Sequence, residues 1–494
     1  VTSGPALDAA GERHRWRAFA VAVTVASITI LDLTKVNVAL PAIETALGAG
    51  STELQLVVSG YVLTFGLMLV PMGRLGDQRS RRTLFLVGLA LFTLTSLVCA
   101  LATSSTMLLI GRLLQGAAAG VQMPQVLGLV QQLFTGAERG RAFGLFGAVI
   151  GLSTAFGPTL GGLLIALGGE QDGWRWIFWL NVPLALAAMA LALRLLPRGP
   201  QSRDRQPLAL DPVGVVLFGG TVLALLVPFL LTTGSPTDDP RRWWSLAGAA
   251  TFGVAFAAWE RHYASTGRSP LIPFRLLRIA PFRNGTLLAT AFFAAMPSIF
   301  LLTTLFLQHG LGLLPVFAGM VTIGFALASA LTSWYGGKLV NRYGRALVVG
   351  GLVVMVLAAL ALALVARWVS PGATPYVMAG VMLIAGLGGG VVISPNQTLT
   401  LAEVPVHEGG LAGSMGQLGQ RIGTAIGTAI ALSLFYAAVL TAPEDRSPVA
   451  VYQDAYDHGM IAVGVFLLLA LGAGLWDLRG RRRQASDIAQ PRGS

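Results

Sequence analysis

Four charged residues stand where charge is expensive. Asp32, Lys35, Arg112 and Arg421 each fall inside a long apolar run, where an ionised side chain facing lipid costs at least about 2.5 to 3.5 kcal/mol. Such groups turn inward, pair with one another and mark the paths of ions or cargo. Asp32 and Lys35, three residues apart, share a helix face. Arg112, Gln115 and Gln122 follow helical spacing and make a polar stripe. The chemistry open to this set is the binding and release of protons and of charged or polar cargo. Covalent chemistry has no comparable support: the five histidines are not spaced for a metal, the one cysteine, Cys99, lies in an apolar run, and no Gly-x-Ser-x-Gly elbow occurs. No enzymatic activity, metal site or cofactor is expected.

Helix geometry puts the charges at one depth. A helix entering near Arg17 carries Asp32 about 22 Å along its axis at 1.5 Å per residue. A helix descending from near Thr106 places Arg112 about 9 Å below the opposite surface, in a core about 30 Å thick. The expectation is a shared, water-accessible central chamber. A set of ion pairs that only locks helices together is the plainer alternative. Taking Asp32 as one negative charge and Lys35, Arg112 and Arg421 as positive, the chamber carries an excess of positive charge, which favours anionic, zwitterionic or lipid-like cargo over a simple cation.

The elements that must position these residues are membrane helices. Hydrophobic residues make up 54% of the 494 and charged residues 11%, against about 25% charged in a soluble domain. The 61 glycines suit helices that pack closely in lipid. A formal charge of +12 could suggest nucleic acid, but the arginines alternate between loops and form no single basic face, so no nucleic-acid partner is expected. Apolar runs of spanning length lie near residues 17–40, 54–72, 84–103, 107–134, 141–168 and 175–196. Two more follow at 212–232 and 243–259, and six at 284–308, 313–336, 347–367, 375–401, 410–440 and 459–478. The fold class expected is therefore an all-α polytopic membrane protein with about fourteen spans. Its expected divisions are a tail (1–16), a six-helix bundle (17–196), basic linkers with an inserted helix pair (197–283), a second bundle (284–478) and a basic tail (479–494). Arg and Lys cluster at alternate loops, including Arg198, Arg203 and Arg205, with Glu403 to Glu408 as the exception. The positive-inside rule then puts both termini in the cytoplasm of a bacterial-type inner membrane.

The chain also repeats. Gly73 to Thr83, rich in charge and wedged between two apolar runs, has a worn copy at Gly337 to Arg345, 264 residues further on, with Gly73 falling on Gly337 and Leu75 on Leu339. The first copy is expected to be a tight turn whose glycines permit the reversal. Asp77 is expected to meet a helix amino terminus or the arginines Arg81 and Arg82. In the second copy Asn341 stands where Asp77 would, beside Arg345, so the second contact should be weaker. The glycine-rich stretch Gly386 to Gly390 reads as helix packing, since no phosphate-loop Lys-Ser/Thr follows it.

These motifs, in this order, resemble those of the major facilitator superfamily, in its fourteen-spanner drug:proton antiporter branch. Gly73, Leu75, Asp77, Arg81 and Arg82 match the cytoplasmic signature between helices two and three, while Gln78 and Ser80 depart from it. Leu31 to Pro41, with Asp32 and Asn37, is similar to the first-helix motif, and Arg112, Gln115 and Gly116 to that of the fourth. Gly157-Pro158 with Gly161-Gly162 resembles the antiporter motif of helix five, and Trp174 to Phe178 with Asn181-Val182-Pro183 the start of helix six. The resemblance implies a monomer in the lipid bilayer that exports amphipathic small molecules against proton entry, driven by the proton gradient. It implies a latch at Gly73 to Arg82, a seal at Gly157 and Pro158, and a cavity holding Asp32, Asn37, Arg112 and their neighbours, with Asp32 the proton-coupling acid. Lys35 departs from the motif, which usually has an uncharged residue there, and with Arg112 it is expected to hold Asp32 ionised and make it a poor proton carrier near neutral pH. Glu403, His407 and Glu408 are alternative proton acceptors. A lipid transporter of the same fold, an anion importer and a non-transporting membrane receptor are the other readings.

Overall fold

The computed structural model describes residues 9–169, 172–197, 211–232, 238–443 and 445–489, and among them every regular element is a helix. The first bundle comprises α1 (Ala9–Leu47), α2 (Ser51–Gln78), α3 (Arg81–Ala100), α4 (Ser105–Leu133), α5 (Gly136–Gly168) and α6 (Gly173–Leu195). The inserted pair is α7 (Pro212–Leu230) and α8 (Ser245–Ser265). The second bundle comprises α9 (Ala280–Gly310), α10 (Pro315–Tyr343), α11 (Arg345–Trp368), α12 (Thr374–Thr400), α13 (Gly409–Leu440) and α14 (Pro448–Ala489). Residues 1–8 and 490–494 of the tails, Arg198, Arg203 and Arg205 of the linker, and Glu444 lie outside the described residues.

Among these helices, thirteen are long and apolar enough to cross a membrane. The fourteenth, α8, has 21 residues but carries Glu260, Arg261 and His262 in its last two turns, and it packs along α7. Asp211 ties the pair together: it accepts from Gly214 N at 2.9 Å at the head of α7 and from Trp259 Nε1 of α8 at 2.7 Å. Glu260 holds the chain beyond α8, accepting from Leu271 N and Ile272 N at 3.1 and 3.0 Å.

The two bundles pack alike. In the first, α2 lies on α4, α3 on α4 and α1 on α5; in the second, α10 lies on α12, α11 on α12 and α9 on α13. Each has its own apolar core, the first around Phe19, Phe65, Phe85 and Phe143, the second around Phe292, Phe306, Met355 and Tyr456. Apolar burial cannot drive helix association within lipid, so close backbone packing must. Gly386 and Gly390 illustrate it: a Cβ at either would stand 2.3 Å from Phe325 O or 2.2 Å from Ser329 O of α10. The stretch is helical and packs, as its composition indicates.

One local expectation is corrected. Gly73 to Thr83 is not a turn throughout: α2 runs on to Gln78, only Arg79 and Ser80 make the reversal, and Ser80 Oγ caps α3 by accepting from Thr83 N at 3.2 Å. Neither Gly73 nor Gly76 has a positive φ. Both are needed for room. A Cβ at Gly73 would lie 2.3 Å from Ser414 Oγ of α13, and one at Gly76 2.0 Å from Gln125 Oε1 of α4.

Gly390→Ala should therefore destabilise the detergent-solubilised protein by about 1 to 3 kcal/mol, the usual range for overpacking. Gly380→Ala, on the same helix with nothing within 4 Å of the added carbon, should leave the melting temperature within a degree or two of the parent. Equal melting of the two variants would show that the α10–α12 contact does not depend on the missing side chain.

Candidate functional site

Asp32, Lys35, Arg112 and Gln115 meet in one buried cluster inside the first bundle. Arg112 Nη1 donates to Asp32 Oδ2 and to Gln115 Oε1, both at 2.7 Å, and its Nε donates to Val57 O of α2 at 3.3 Å. The guanidinium carbon lies 4.1 Å from the centre of the Tyr61 ring. The other carboxylate oxygen, Asp32 Oδ1, accepts from Asn181 Nδ2 of α6 at 2.6 Å. Lys35 Nζ donates to Asn181 Oδ1 at 2.6 Å and stands 4.0 Å from Asp32 Oδ1. Gln115 Nε2 completes the set by donating to Ser96 Oγ of α3 at 2.8 Å. Asp32 and Arg112 have no exposed surface, and Lys35 and Asn181 have 1% each. A single carboxylate thus serves two cations, and an amide oriented by both holds the second.

The helices converge here because α5 has no side chain in the way. A Cβ at Gly157 would fall 1.9 Å from Thr34 Oγ1, and one at Gly161 2.9 Å from Lys35 O, so these two glycines seat α5 on α1 at the level of the ions. Gly162 has no such duty, its nearest neighbour being Val38 Cγ1 at 3.9 Å, and Pro158 is exposed within an unbroken α5.

Other residues expected in a common chamber lie elsewhere. Gln122 donates to Thr29 Oγ1 at 2.7 Å, bonding α4 to α1 nearer the end where α1 begins. Asn37 is exposed and bonds none of the described residues. Arg421, on α13, lies with its guanidinium carbon 5.0 Å from the centre of the Phe65 ring, across the seam between the bundles. The cluster itself is enclosed, where an open chamber was expected. Helix depth can be counted from sequence, but rotation cannot, and here rotation turns Asp32 toward α4 and α6. Asn181, Ser96 and Tyr61 went unassigned. Asn181 carried a signal in its motif; Ser96 is one hydroxyl among many and carried none.

A second assembly closes the seam at the end of the molecule that carries the basic loops. Asp77 Oδ1 and Oδ2 accept from Gly410 N and Leu411 N, the first amides of α13, at 3.0 and 2.8 Å. A carboxylate at a helix amino terminus satisfies free donors and meets the positive end of the dipole. Arg81 fixes that carboxylate at 2.7 Å and donates to Gly128 O and Val406 O at 2.7 and 2.8 Å. Arg82 Nη2 donates to Leu193 O at 2.5 Å. Alongside, the backbones of α5 and α10 touch, with a Cβ at Gly337 falling 2.4 Å from Gly140 O. The second copy differs: Asn341 is exposed and bonds none of the described residues, while Arg345 turns inward to Asp477 at 2.6 Å and to Asn396. Of the alternative acids, Glu408 is buried and paired with Arg275, while Glu403 and His407 are exposed.

Two matched bundles with this latch correspond to the family model of the Major Facilitator Superfamily, which matches residues 18–428. The chain belongs to that superfamily. It is a multi-pass membrane transporter and not an enzyme. A Streptomyces coelicolor protein named as a probable actinorhodin transporter is 34% identical over 88% of this chain and 75% of its own length. The puromycin resistance protein pur8 of Streptomyces alboniger is 34% identical over 96% of this chain and 93% of its own. The solved structure of the human organic anion transporter MFSD10 shares the fold, with a TM-score of 0.62 over 92% of this chain and 99% of that one at 16% identity.

Two outcomes follow from this geometry. Asp32→Leu alone leaves Arg112 buried and unpaired and should cost about 3 to 5 kcal/mol, whereas the double substitution Asp32→Leu with Arg112→Met should be milder; additive losses in thermal unfolding would contradict the pairing. Asp77→Asn should loosen the latch, so that a cysteine placed at Ser414, buried beneath it, is alkylated by a permeant maleimide several-fold faster than in the same variant with Asp77 intact. Equal rates would mean that Asp77 does not hold the seam.

Proposed function

We propose that this transporter exports amphipathic small molecules in exchange for protons by alternating access, as a monomer in a bacterial-type inner membrane with its basic loops and both termini in the cytoplasm. The observation that carries this reading is the Asp32–Arg112 pair. A single carboxylate holds a guanidinium at 2.7 Å with no exposed surface, so a proton arriving on Asp32 cancels the charge that fixes Arg112. Arg112 remains a cation under all conditions and must then find another partner or water. The change is local, yet Arg112 also touches α2 through Val57 O and Tyr61, and α2 ends in the Asp77 latch. The ion cluster and the latch thus both contact α2, one toward its middle and the other at its end.

In this scheme the conformation described is the one closed toward the cytoplasm. A proton enters from outside, neutralises Asp32 and lets the bundles rock; the latch opens, the proton leaves to the cytoplasm, and cargo binds from within. With the proton gone, Asp32 recaptures Arg112 and the seam closes at Asp77, carrying the cargo outward. The names of the relatives, a probable actinorhodin transporter and a puromycin resistance protein, support export of antibiotics or similar amphipathic metabolites as the physiological task.

Purified protein in liposomes decides the matter. With the protein oriented so that its basic end faces the bath, an acidic lumen should drive accumulation of a fluorescent amphipathic dye, collapse of the pH difference should abolish it, and Asp32→Asn should lower the driven rate at least tenfold while leaving downhill exchange measurable. Accumulation that ignores the pH difference, or none with any member of a broad dye panel, would refute proton-coupled export.

A further inference from the structure

Three of the cations already described have carboxylate partners: Arg112 and Lys35 share Asp32, and Arg81 holds Asp77. Arg421 has none among the described residues. It lies about 18 Å along α13 from Gly409 at 1.5 Å per residue, so it sits at mid-membrane depth. Its Nε is buried without an acceptor, although the residue as a whole is partly accessible. An arginine cannot shed its proton to escape this situation, and an uncompensated charge at this depth is costly. An acceptor that enters the seam would supply the missing partner.

Two further donors point the same way. Tyr61 Oη and Arg112 Nη2 are also buried without an acceptor among the described residues. They lie along one strip of α2: Arg421 stacks on Phe65 at 5.0 Å, the Phe65 and Tyr61 ring centres are 6.2 Å apart, and Arg112 stacks on Tyr61 at 4.1 Å. Arg421 at the seam, with aromatic rings and two further unpaired donors behind it, is matched by a ligand that brings an acceptor oxygen and negative charge on a flat apolar body. We infer that Arg421, with Phe65 and Tyr61, forms the binding point for the acidic group of the cargo, and that this transporter selects aromatic carboxylates or phenolates over aromatic cations. Guanidinium suits this work because it presents a planar fork to the acid and keeps one face on an aromatic ring. The same strip puts the cargo's charge and the proton's carboxylate at the two ends of one short stack, so occupation of Arg421 by an anion and protonation of Asp32 are both read by Tyr61.

This inference rests on the export reading, but its test needs no gradient. Three probes of one shape, anthracene-9-carboxylate, its methyl ester and 9-(aminomethyl)anthracene, are bound to the purified full-length protein in detergent and measured by equilibrium dialysis. The native protein should bind the carboxylate about tenfold or more tightly than the amine, with the ester between them. Arg421→Gln should erase the preference by weakening the carboxylate about tenfold while leaving the ester nearly unchanged, and Arg421→Lys should retain part of it. Equal or tighter binding of the amine by the native protein would overturn the inference whatever the variants do. A preference that survives in folded Arg421→Gln would overturn it as well. Should Arg421→Gln fail to fold, Phe65→Leu takes its place and should weaken all three aromatic probes together; unchanged binding in that variant would remove the aromatic strip from the site. A failure of pH-driven accumulation in liposomes with the charge preference intact would count against export and leave the binding point standing.

Discussion

A carboxylate sealed between two cations is the constraint on which the rest of the molecule turns. Removing Asp32 and Arg112 from water costs several kcal/mol for each ion, recovered only where geometry is close and the remaining polar atoms are bonded. The first bundle meets that condition with groups from five helices: Asp32 and Lys35 from α1, Val57 O and Tyr61 from α2, Ser96 from α3, Arg112 and Gln115 from α4, and Asn181 from α6. Gly157 and Gly161 contribute by being small, since any side chain there would separate α5 from the helix that carries the acid. In the proposed exchange, a cluster assembled from so many helices responds as a unit when its single negative charge is cancelled.

α2 connects that unit to the seam. Its middle touches Arg112 through Val57 O and Tyr61, its next turn meets Arg421 of the second bundle through Phe65, and its end holds the first amides of α13 through Asp77. One helix, with Pro71 inside it, thus contacts the ion cluster, the opposite bundle and the latch. The two halves are not equivalent in this respect. Where the first repeat places an acid against a helix amino terminus, the second places an exposed asparagine, and its arginine is drawn inward to Asp477 instead. The latch on the Asp77 side therefore carries the electrostatic part of closure, while the α5–α10 side closes through backbone contact between glycines. The inserted pair leans on the same region, with Leu226 of α7 and Leu418 of α13 both reaching the position of Gly66 on α2.

What the chain reveals without its structure follows the physics of lipid. Apolar runs must be helices because unpaired backbone is intolerable in hydrocarbon, so helix number and order were legible, as was the near-duplication that gives matched bundles. Depth was legible too, because a straight helix rises by a fixed amount per residue, and counting along it placed Asp32 level with Arg112. Rotation was not. Whether Asp32 faced a chamber or the heart of its bundle depends on a few tens of degrees about the helix axis, set by packing at Gly157 and Gly161. The same limit hid Ser96 and kept Asn37 in the expected site. At Gly73 the error lay elsewhere: glycine beside charged residues suggested a turn, whereas the glycines are helical and needed for close approach to α4 and α13. α8, expected as the second of the inserted pair, is the helix that falls short of a span by composition.

The claim at the centre is that cargo and proton compete through one buried carboxylate and its arginine. Linkage requires that a ligand which favours the ionised cluster displace protons from it, and that the effect be reciprocal. The direct measurement is proton release on binding: a saturating uncharged aromatic ligand, which leaves the charge around Asp32 unaltered, is added to the purified protein in weakly buffered detergent solution at a series of pH values, with an indicator dye in the bath. The account predicts release of up to about one proton per protein in the native chain, and none from Asp32→Asn bound to the same extent. No release from the native protein at any pH, or equal release from both, would contradict it.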